Sequence, residues 1–138
     1  MIKSKILIVD DNEDVRILIK KTLSDKYIIE EAATSEEAMT KAFEFDPELI
    51  ILDIMLPDTS GYEICSQLKS KEEFKNTPII FLSVKAGSNS RITGYKLGAI
   101  QYLEKPFEPE ELREVIASIL KNVSLVDTNE IQNFEDII

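Results

Sequence analysis

The chain has 138 residues, 43% of them hydrophobic, and it carries 26 acidic against 16 basic side chains, a net charge of −10. This length and apolar content fit one domain with a real core and exclude a mostly disordered chain, while the acidity argues against direct nucleic-acid binding. Because the chain has no histidine, we exclude Ser-His-Asp and Cys-His triads, imidazole-ligated zinc and a phosphohistidine on this chain.

Short apolar runs alternate with segments of helical spacing along the chain. Five runs predict strands, at residues 6–9, 28–29, 49–52, 79–82 and 102–103. Apolar positions repeat at helical spacing over residues 15–23, 38–43, 64–68 and 112–120, and more weakly over 88–97. Thr34 and Ser60 each stand three residues before a glutamate, and Pro109 precedes two glutamates, as is typical of helix N-termini. This alternation predicts a parallel sheet covered on both faces.

The polarity of the five runs predicts their order in the sheet. The first, third and fourth runs are continuously apolar, as strands buried on both faces should be. The second run, residues 28–31, and the fifth, residues 101–104, include polar residues and therefore belong at the edges. We predict an α/β, flavodoxin-like fold: a five-stranded, doubly wound parallel sheet in the order 2-1-3-4-5, with helices on both faces.

The texture of the chain changes near its C-terminus. We expect residues 1–122 to form the domain. Residues 123–138 hold four acidic and no basic side chains, and we expect them to be a frayed acidic tail or the start of a linker. The alternative is a short helix that carries Ile131, Phe134 and Ile138 and docks on this domain or on a partner.

Cysteine content and hydropathy predict the compartment. Cys65 is the single cysteine, so no internal disulfide forms, which suits a reducing cytosol. The apolar run before the first carboxylates is too short for a secretory signal. No apolar run approaches the roughly 18–20 residues that span a bilayer. We therefore expect a cytoplasmic protein without a membrane segment.

Charged and hydroxyl side chains follow the predicted strands. In open parallel sheets, ligands bind beyond the carboxyl ends of the strands, at the point where the strand order reverses. The residues at those ends are Asp10, Asp11, Asp53, Ser83 and Lys105. Three carboxylates held together repel one another unless a cation or a proton is present, and Mg²⁺ prefers such oxygen ligands. One carboxylate can then attack phosphorus while the lysine and the hydroxyl hold phosphoryl oxygens, so the set predicts aspartyl-phosphate chemistry.

Each of these residues, taken singly, also has a purely structural explanation. Asp10 and Asp11 could cap the first helix, and Asp53 could form a turn at a strand end. Ser83 could be a turn hydroxyl and Lys105 a solvated lysine. These explanations do not account for all five residues falling on one edge of the sheet with the charges that a metal-phosphoryl site requires.

At this point the chain closely resembles the receiver domain of bacterial two-component response regulators. The resemblance runs from about residue 5 to residue 121. Its motifs are residues 6–12, ending in Asp10-Asp11-Asn12; residues 52–57 with 61–63; residues 78–83; and residues 102–107, which contain Lys105-Pro106. The order and spacing of these motifs make the resemblance specific, whereas an isolated Asp-Asp or Lys-Pro pair would carry no information.

The resemblance implies a phosphoacceptor site. Asp53 would receive a phosphoryl group from a phosphohistidine on a sensor histidine kinase or a histidine phosphotransfer protein, with Mg²⁺ or Mn²⁺ as cofactor. Asp11, Asp53 and the backbone carbonyl of Met55 would be direct metal ligands, and Asp10 would bind largely through water. Ser83 and Lys105 would hold the phosphoryl oxygens.

The resemblance also implies a switch rather than a metabolic enzyme, one that catalyses only its own phosphorylation and dephosphorylation. The Ser83 hydroxyl would move toward the phosphate, and the aromatic ring of Tyr102 would turn inward. These movements would alter the face formed by the helix predicted over 88–97, which is the fourth along the chain, the fifth strand and the last helix. A downstream protein or a fused output domain would dock on this face. The Lys105–Pro106 bond would be cis.

Two other functions stay open as alternatives. A haloacid-dehalogenase-like phosphatase also uses an aspartyl phosphate, but it needs a second aspartate two residues after the nucleophile, where this chain has Met55. A flavodoxin-like nucleotide-binding module would carry a hydroxyl- or glycine-rich loop after the first strand. Residues 10–13 are mostly acidic instead, and their charge would repel a nucleotide phosphate.

Overall fold

The sheet has the predicted order. The structure is a computed structural model that describes residues 3–84, 96 and 98–120. Its strands are β1 (Lys5–Val9), β2 (Ile28–Ala32), β3 (Leu49–Asp53), β4 (Ile79–Ser83) and β5 (Gln101–Glu104). They pair in parallel in the order β2-β1-β3-β4-β5, so the predicted arrangement is confirmed.

Helices connect the strands over the described residues. They are α1 (Glu13–Leu23), α2 (Ser35–Phe45) and α3 (Gly61–Lys69), and residues 109–120 form the C-terminal helix. Of the weaker helix predicted over 88–97, only residue 96 is described, and it is helical. The acidic tail predicted over residues 123–138 lies outside the described part of the chain.

The burial of the strands follows their polarity. Every residue of β3 and β4 is buried, whereas β2 and β5 include exposed or half-exposed positions, as edge strands do. Successive side chains of a strand point to opposite faces, so the sheet separates two apolar clusters. One cluster packs α2 and α3 against residues such as Leu52 and Phe81, and the other packs α1 and the C-terminal helix against residues such as Ile8 and Leu82.

Side-chain caps fix where the helices begin, and they show whether Asp10 or Asp11 caps the first helix. Thr34 and Ser60 cap α2 and α3 by accepting a backbone N–H three residues on, as predicted. Asn12, and neither Asp10 nor Asp11, is the N-cap of α1: its side chain accepts the N–H groups of the second and third residues that follow it. The acidic pair after β1 therefore has no capping role. None of the helices in the described part of the chain combines the length and the apolar character that a membrane span requires.

Candidate functional site

The predicted site residues come together at the carboxyl edge of the sheet. Asp10 follows β1, Asp53 ends β3 and Ser83 ends β4, and all three side chains are buried, while Asp11 is exposed. One carboxylate oxygen from each of Asp10, Asp11 and Asp53 lies within 4.8 Å of the other two. A pocket of three hard oxygen donors at this separation fits a small divalent cation such as Mg²⁺.

Lys105 lies between two of these carboxylates. Its ammonium nitrogen is 2.7 Å from Oδ2 of Asp10 and 3.4 Å from Oδ2 of Asp53. Its backbone N–H donates to the carbonyl of Ser83 at 2.7 Å, which fixes the chain after β5 against the end of β4. The Lys105–Pro106 peptide bond is cis. Lys105 therefore compensates part of the negative charge of the pocket and is not a solvated surface lysine.

The electrostatics of Asp53 favour a proton or a cation at this site. Burial raises the pKa of its carboxyl above the ordinary value, and the negative charge of Asp10 raises it further. The ammonium of Lys105 and the N–H of Met55 act in the opposite direction. The effects that raise the pKa of Asp53 exceed those that lower it. The protein alone therefore does not balance the negative charge of the ionised carboxylate, and a bound cation would supply the missing positive charge.

The segment after Asp53 is shaped by its own backbone. The N–H of Met55 donates to Oδ1 of Asp53 at 3.3 Å, and Met55 forms an isolated antiparallel bridge with Ser60. Met55 is 69% exposed, and its contact with Asp53 is made by its backbone N–H. The chain thus turns back on itself between Asp53 and the start of α3.

Gly61 belongs to the site, although its residue type and position do not by themselves predict a role there. A Cβ at this position would lie 2.2 Å from the carbonyl oxygen of Asp53 and 2.9 Å from the Cα of Ile54. The N–H of Gly61 also donates to the carbonyl of Ile54 at 2.6 Å. The first residue of α3 therefore lies directly against the backbone of Asp53. The sequence contains this glycine within the motif at 61–63, but only the close approach of the two backbones explains why a glycine is needed there.

Arg16 is a second residue that the sequence did not single out. It lies on α1, and its guanidinium donates to the main-chain oxygen of Asp10 at 2.7 Å and to Oε1 of Glu31 on β2 at 2.8 Å. Only 14% of its side chain is exposed. Its position beside the apolar stripe of α1 does not predict this contact, because its partner Glu31 lies fifteen residues further along the chain.

Tyr102, the predicted aromatic switch residue, points into the core. It is 4% exposed, and its ring packs against Phe81 with a centroid distance of 5.4 Å. Its hydroxyl shares a hydrogen bond with the hydroxyl of Tyr62 on α3, with 2.5 Å between the oxygens. Tyr62 also packs edge-on against Phe81 at 5.1 Å. Three rings therefore join α3, β4 and β5 behind the site, and no sequence pattern indicates that Tyr62 takes part.

Comparison with known proteins finds one family. The family model described as the response regulator receiver domain matches residues 6–117. The transcriptional regulatory protein ResD of Bacillus subtilis is 38% identical over 123 residues, which are 88% of this chain and 50% of ResD. The hybrid signal transduction histidine kinase D of Dictyostelium discoideum is 36% identical over 118 residues, which are 86% of this chain and 8% of that kinase.

Solved structures agree with this result. The chemotaxis protein CheY4 of Vibrio cholerae superposes with a TM-score of 0.82 at 32% identity, covering 85% of this chain and 98% of that one. The chain spans nearly the whole of this structure, but about half the length of ResD. The likeness to ResD therefore concerns one part of that protein, and the activities of its remainder are a separate matter.

Proposed function

Because the chain belongs to the response-regulator receiver family, we propose that it is a phosphoacceptor signalling module in which Asp53 receives a phosphoryl group with Mg²⁺ bound beside it. Receiver domains are signalling switches rather than classical enzymes. The observation that carries the proposal is the convergence of three carboxylates within 4.8 Å with Lys105 between two of them. We assign the receiver function to residues 1–122 and a tail or linker role to residues 123–138.

The residues of the pocket divide the work of phosphoryl transfer. An oxygen of Asp53 attacks phosphorus, the bond between phosphorus and the donor's imidazole nitrogen breaks, and the imidazole leaves with the electron pair and takes up a proton. Lys105, whose ammonium is 3.4 Å from Oδ2 of Asp53, is within reach of an oxygen carried on that carboxylate. The buried hydroxyl of Ser83 donates to another phosphoryl oxygen. Later attack by water on the phosphorus of the acyl phosphate breaks its bond to the Asp53 oxygen, releases inorganic phosphate and restores the carboxylate.

The metal would be held by oxygen atoms of this chain. Asp11, Asp53 and the backbone carbonyl of Met55 are the proposed direct ligands, and Asp10 would bind largely through water. Held there, Mg²⁺ or Mn²⁺ would supply positive charge that neutralises the phosphoryl oxygens. The chemistry of the donors supports this assignment, because carboxylate and carbonyl oxygens are the ligands that these cations prefer.

The phosphoryl donor must come from outside the chain. The sequence contains no histidine, so the phosphohistidine belongs to a sensor histidine kinase or a histidine phosphotransfer protein. The downstream partner, a protein target or a fused output domain, docks on the face that includes β5, the C-terminal helix and the helix predicted over 88–97. Ser83 and Tyr102 transmit the phosphorylation state to this face. We propose a cytoplasmic protein that binds neither nucleic acid nor membrane through this chain.

The proposal is tested by labelling the purified chain with acetyl phosphate, with Mg²⁺ and with the metal removed by EDTA. We expect one phosphoryl group per chain with Mg²⁺, located on Asp53 by peptide mapping, and little labelling without it. A chain that stays unlabelled with Mg²⁺, or that is labelled at another residue, would refute the site assignment. Transfer from a panel of phosphorylated histidine kinases then identifies the donor.

Replacing Lys105 with methionine is expected to slow labelling about 100-fold, because the phosphoryl oxygens lose a preorganised positive charge. The same change should leave Mg²⁺ affinity unchanged or increase it, since it removes a cation from beside Asp10 and Asp53. Labelling rates and Mg²⁺ titrations measure the two effects separately. Lys75→Met is the matched control, because Lys75 is half-exposed and pairs only with Glu72 among the contacts described. Equal rates for both variants would contradict the role of Lys105.

A further inference from the structure

The loop between β1 and α1 carries two of the three pocket carboxylates, and its main chain is held at several points. The N–H of Asp10 donates to the carbonyl of Ala32 at 3.0 Å, and the N–H of Asn12 donates to Oδ1 of Asp10 at 2.9 Å. These bonds leave the main-chain oxygen of Asp10 to be satisfied from elsewhere. Arg16 provides that hydrogen bond with Nη1, at 2.7 Å.

Arg16 makes this contact while it is anchored to the edge strand. Its Nε donates to Oε1 of Glu31 at 2.8 Å, and the other oxygen of Glu31 accepts from the ammonium of Lys20 at 2.6 Å. These hydrogen bonds, that of Lys20 first and that of Arg16 next, hold the pKa of Glu31 below its usual value, so the anchor stays ionised. The guanidinium thus joins β2 to the backbone at Asp10 with two nitrogens of one planar group.

We propose that Arg16 is a positioning residue for the metal pocket, one that fixes the backbone at Asp10 and so directs the carboxylates of Asp10 and Asp11 toward Asp53. The inference rests on the proposed Mg²⁺ site. A planar guanidinium donates in two fixed directions at once, whereas a lysine ammonium at the same place can keep the charge without keeping the geometry. Groups that orient metal ligands commonly change metal affinity by 10-fold or more when they are removed.

Charge and position make opposite predictions for this residue. As a positive charge near the pocket, Arg16 disfavours a divalent cation, so its removal should tighten Mg²⁺ binding if charge alone matters. As a positioning residue it favours the cation, so its removal should weaken binding. Lys20 separates the two effects: it pairs with the same carboxylate of Glu31, but its ammonium has no recorded contact with Asp10 among the described residues.

The experiment compares Arg16→Lys, Arg16→Gln and Lys20→Gln with the wild-type chain. Mg²⁺ is titrated into each protein and followed by amide chemical shifts, and thermal unfolding confirms that each is folded. We expect the half-saturating Mg²⁺ concentration to rise about 10-fold in both Arg16 variants and to change less than about 2-fold in Lys20→Gln. Arg16→Lys keeps the positive charge, so charge alone predicts no change for it, and the inference stays testable if Arg16→Gln unfolds.

A second readout distinguishes positioning from general damage. At saturating Mg²⁺, the acetyl phosphate labelling rate of Arg16→Lys should return to within about 2-fold of wild type, because a filled pocket restores the arrangement of the carboxylates. Unchanged or tighter Mg²⁺ binding in the Arg16 variants would overturn the positioning role while leaving the proposed function intact. A wild-type chain that binds no Mg²⁺ would overturn the proposed function, and the positioning role with it.

Discussion

Replacing Asp53 with asparagine is expected to abolish labelling by acetyl phosphate, with a loss of at least about 1000-fold, because the amide has no carboxylate oxygen to attack phosphorus. The measurement is intact-mass spectrometry after incubation with acetyl phosphate and Mg²⁺. Asp46→Asn is a suitable control: Asp46 is exposed at the end of α2 with a φ of 52°, a conformation that asparagine tolerates. Persistent Mg²⁺-dependent labelling of Asp53→Asn would place the acceptor elsewhere.

The same substitution should stabilise the metal-free chain. The pKa of Asp53 is raised in the folded state, first by burial and then by Asp10, so the folded chain binds this proton more tightly than the unfolded chain does. The free energy of unfolding therefore falls as the pH rises from the ordinary value of 3.8 through the raised one. Asparagine removes that loss, so we expect Asp53→Asn to have a higher free energy of unfolding than wild type at neutral pH without metal.

Urea unfolding at several pH values, with and without Mg²⁺, tests this expectation. Wild type should gain stability when Mg²⁺ is added, because the cation binds the folded chain, and Asp53→Asn should gain less because it has lost one ligand charge. If the metal-free variant were less stable than wild type at neutral pH, the electrostatic cost that we assign to Asp53 would be wrong.

Gly61→Ala is the change with the second large effect, and we expect it to lower the free energy of unfolding by about 3 kcal/mol. The added Cβ would lie 2.2 Å from the carbonyl oxygen of Asp53, and the obstacle is backbone, which cannot rotate away as a side chain can. The start of α3 or the end of β3 must therefore move. Because the clash involves the backbone of Asp53, labelling should also fall in the fraction of the protein that remains folded.

Urea unfolding and acetyl phosphate labelling measure the two consequences. Ser66→Ala is the matched control, because it lies on the exposed side of the same helix and alanine has a high helix propensity, so its stability should match or slightly exceed wild type. A Gly61→Ala variant within about 1 kcal/mol of wild type and labelled at the normal rate would show that the loop adapts without strain.

The fold was predictable from the sequence because the polarity of each strand depends on whether one or both of its faces are buried. Runs buried on both faces contain only apolar residues, whereas β2 and β5 include glutamates and a glutamine that tolerate an edge. Once the order is known, topology alone brings Asp10, Asp53 and Lys105 to one edge, since the carboxyl ends of parallel strands meet there.

Contacts that depend on exact geometry were not predictable in the same way. Whether Asp11 or Asn12 caps α1 depends on a shift of one residue along the backbone, which periodicity does not resolve. The hydroxyl pair of Tyr62 and Tyr102 joins residues forty positions apart, and no local pattern marks either as the partner of the other. Gly61 is required because a side chain at this position would collide with the backbone at Asp53. The sequence motif contains the glycine, but it does not show this close approach.

The charges on the edge strand β2 affect how copies of this protein associate at high concentration. Among the described residues β2 has no strand on its outer side, and another chain could pair with such an edge and extend the sheet. Its neighbouring residues Glu30 and Glu31 point to opposite faces and form ion pairs there, with Lys41 on α2 and with Arg16 and Lys20 on α1. An added strand would have to accommodate these charges on both faces at once, so the edge resists the intermolecular pairing that leads to aggregation.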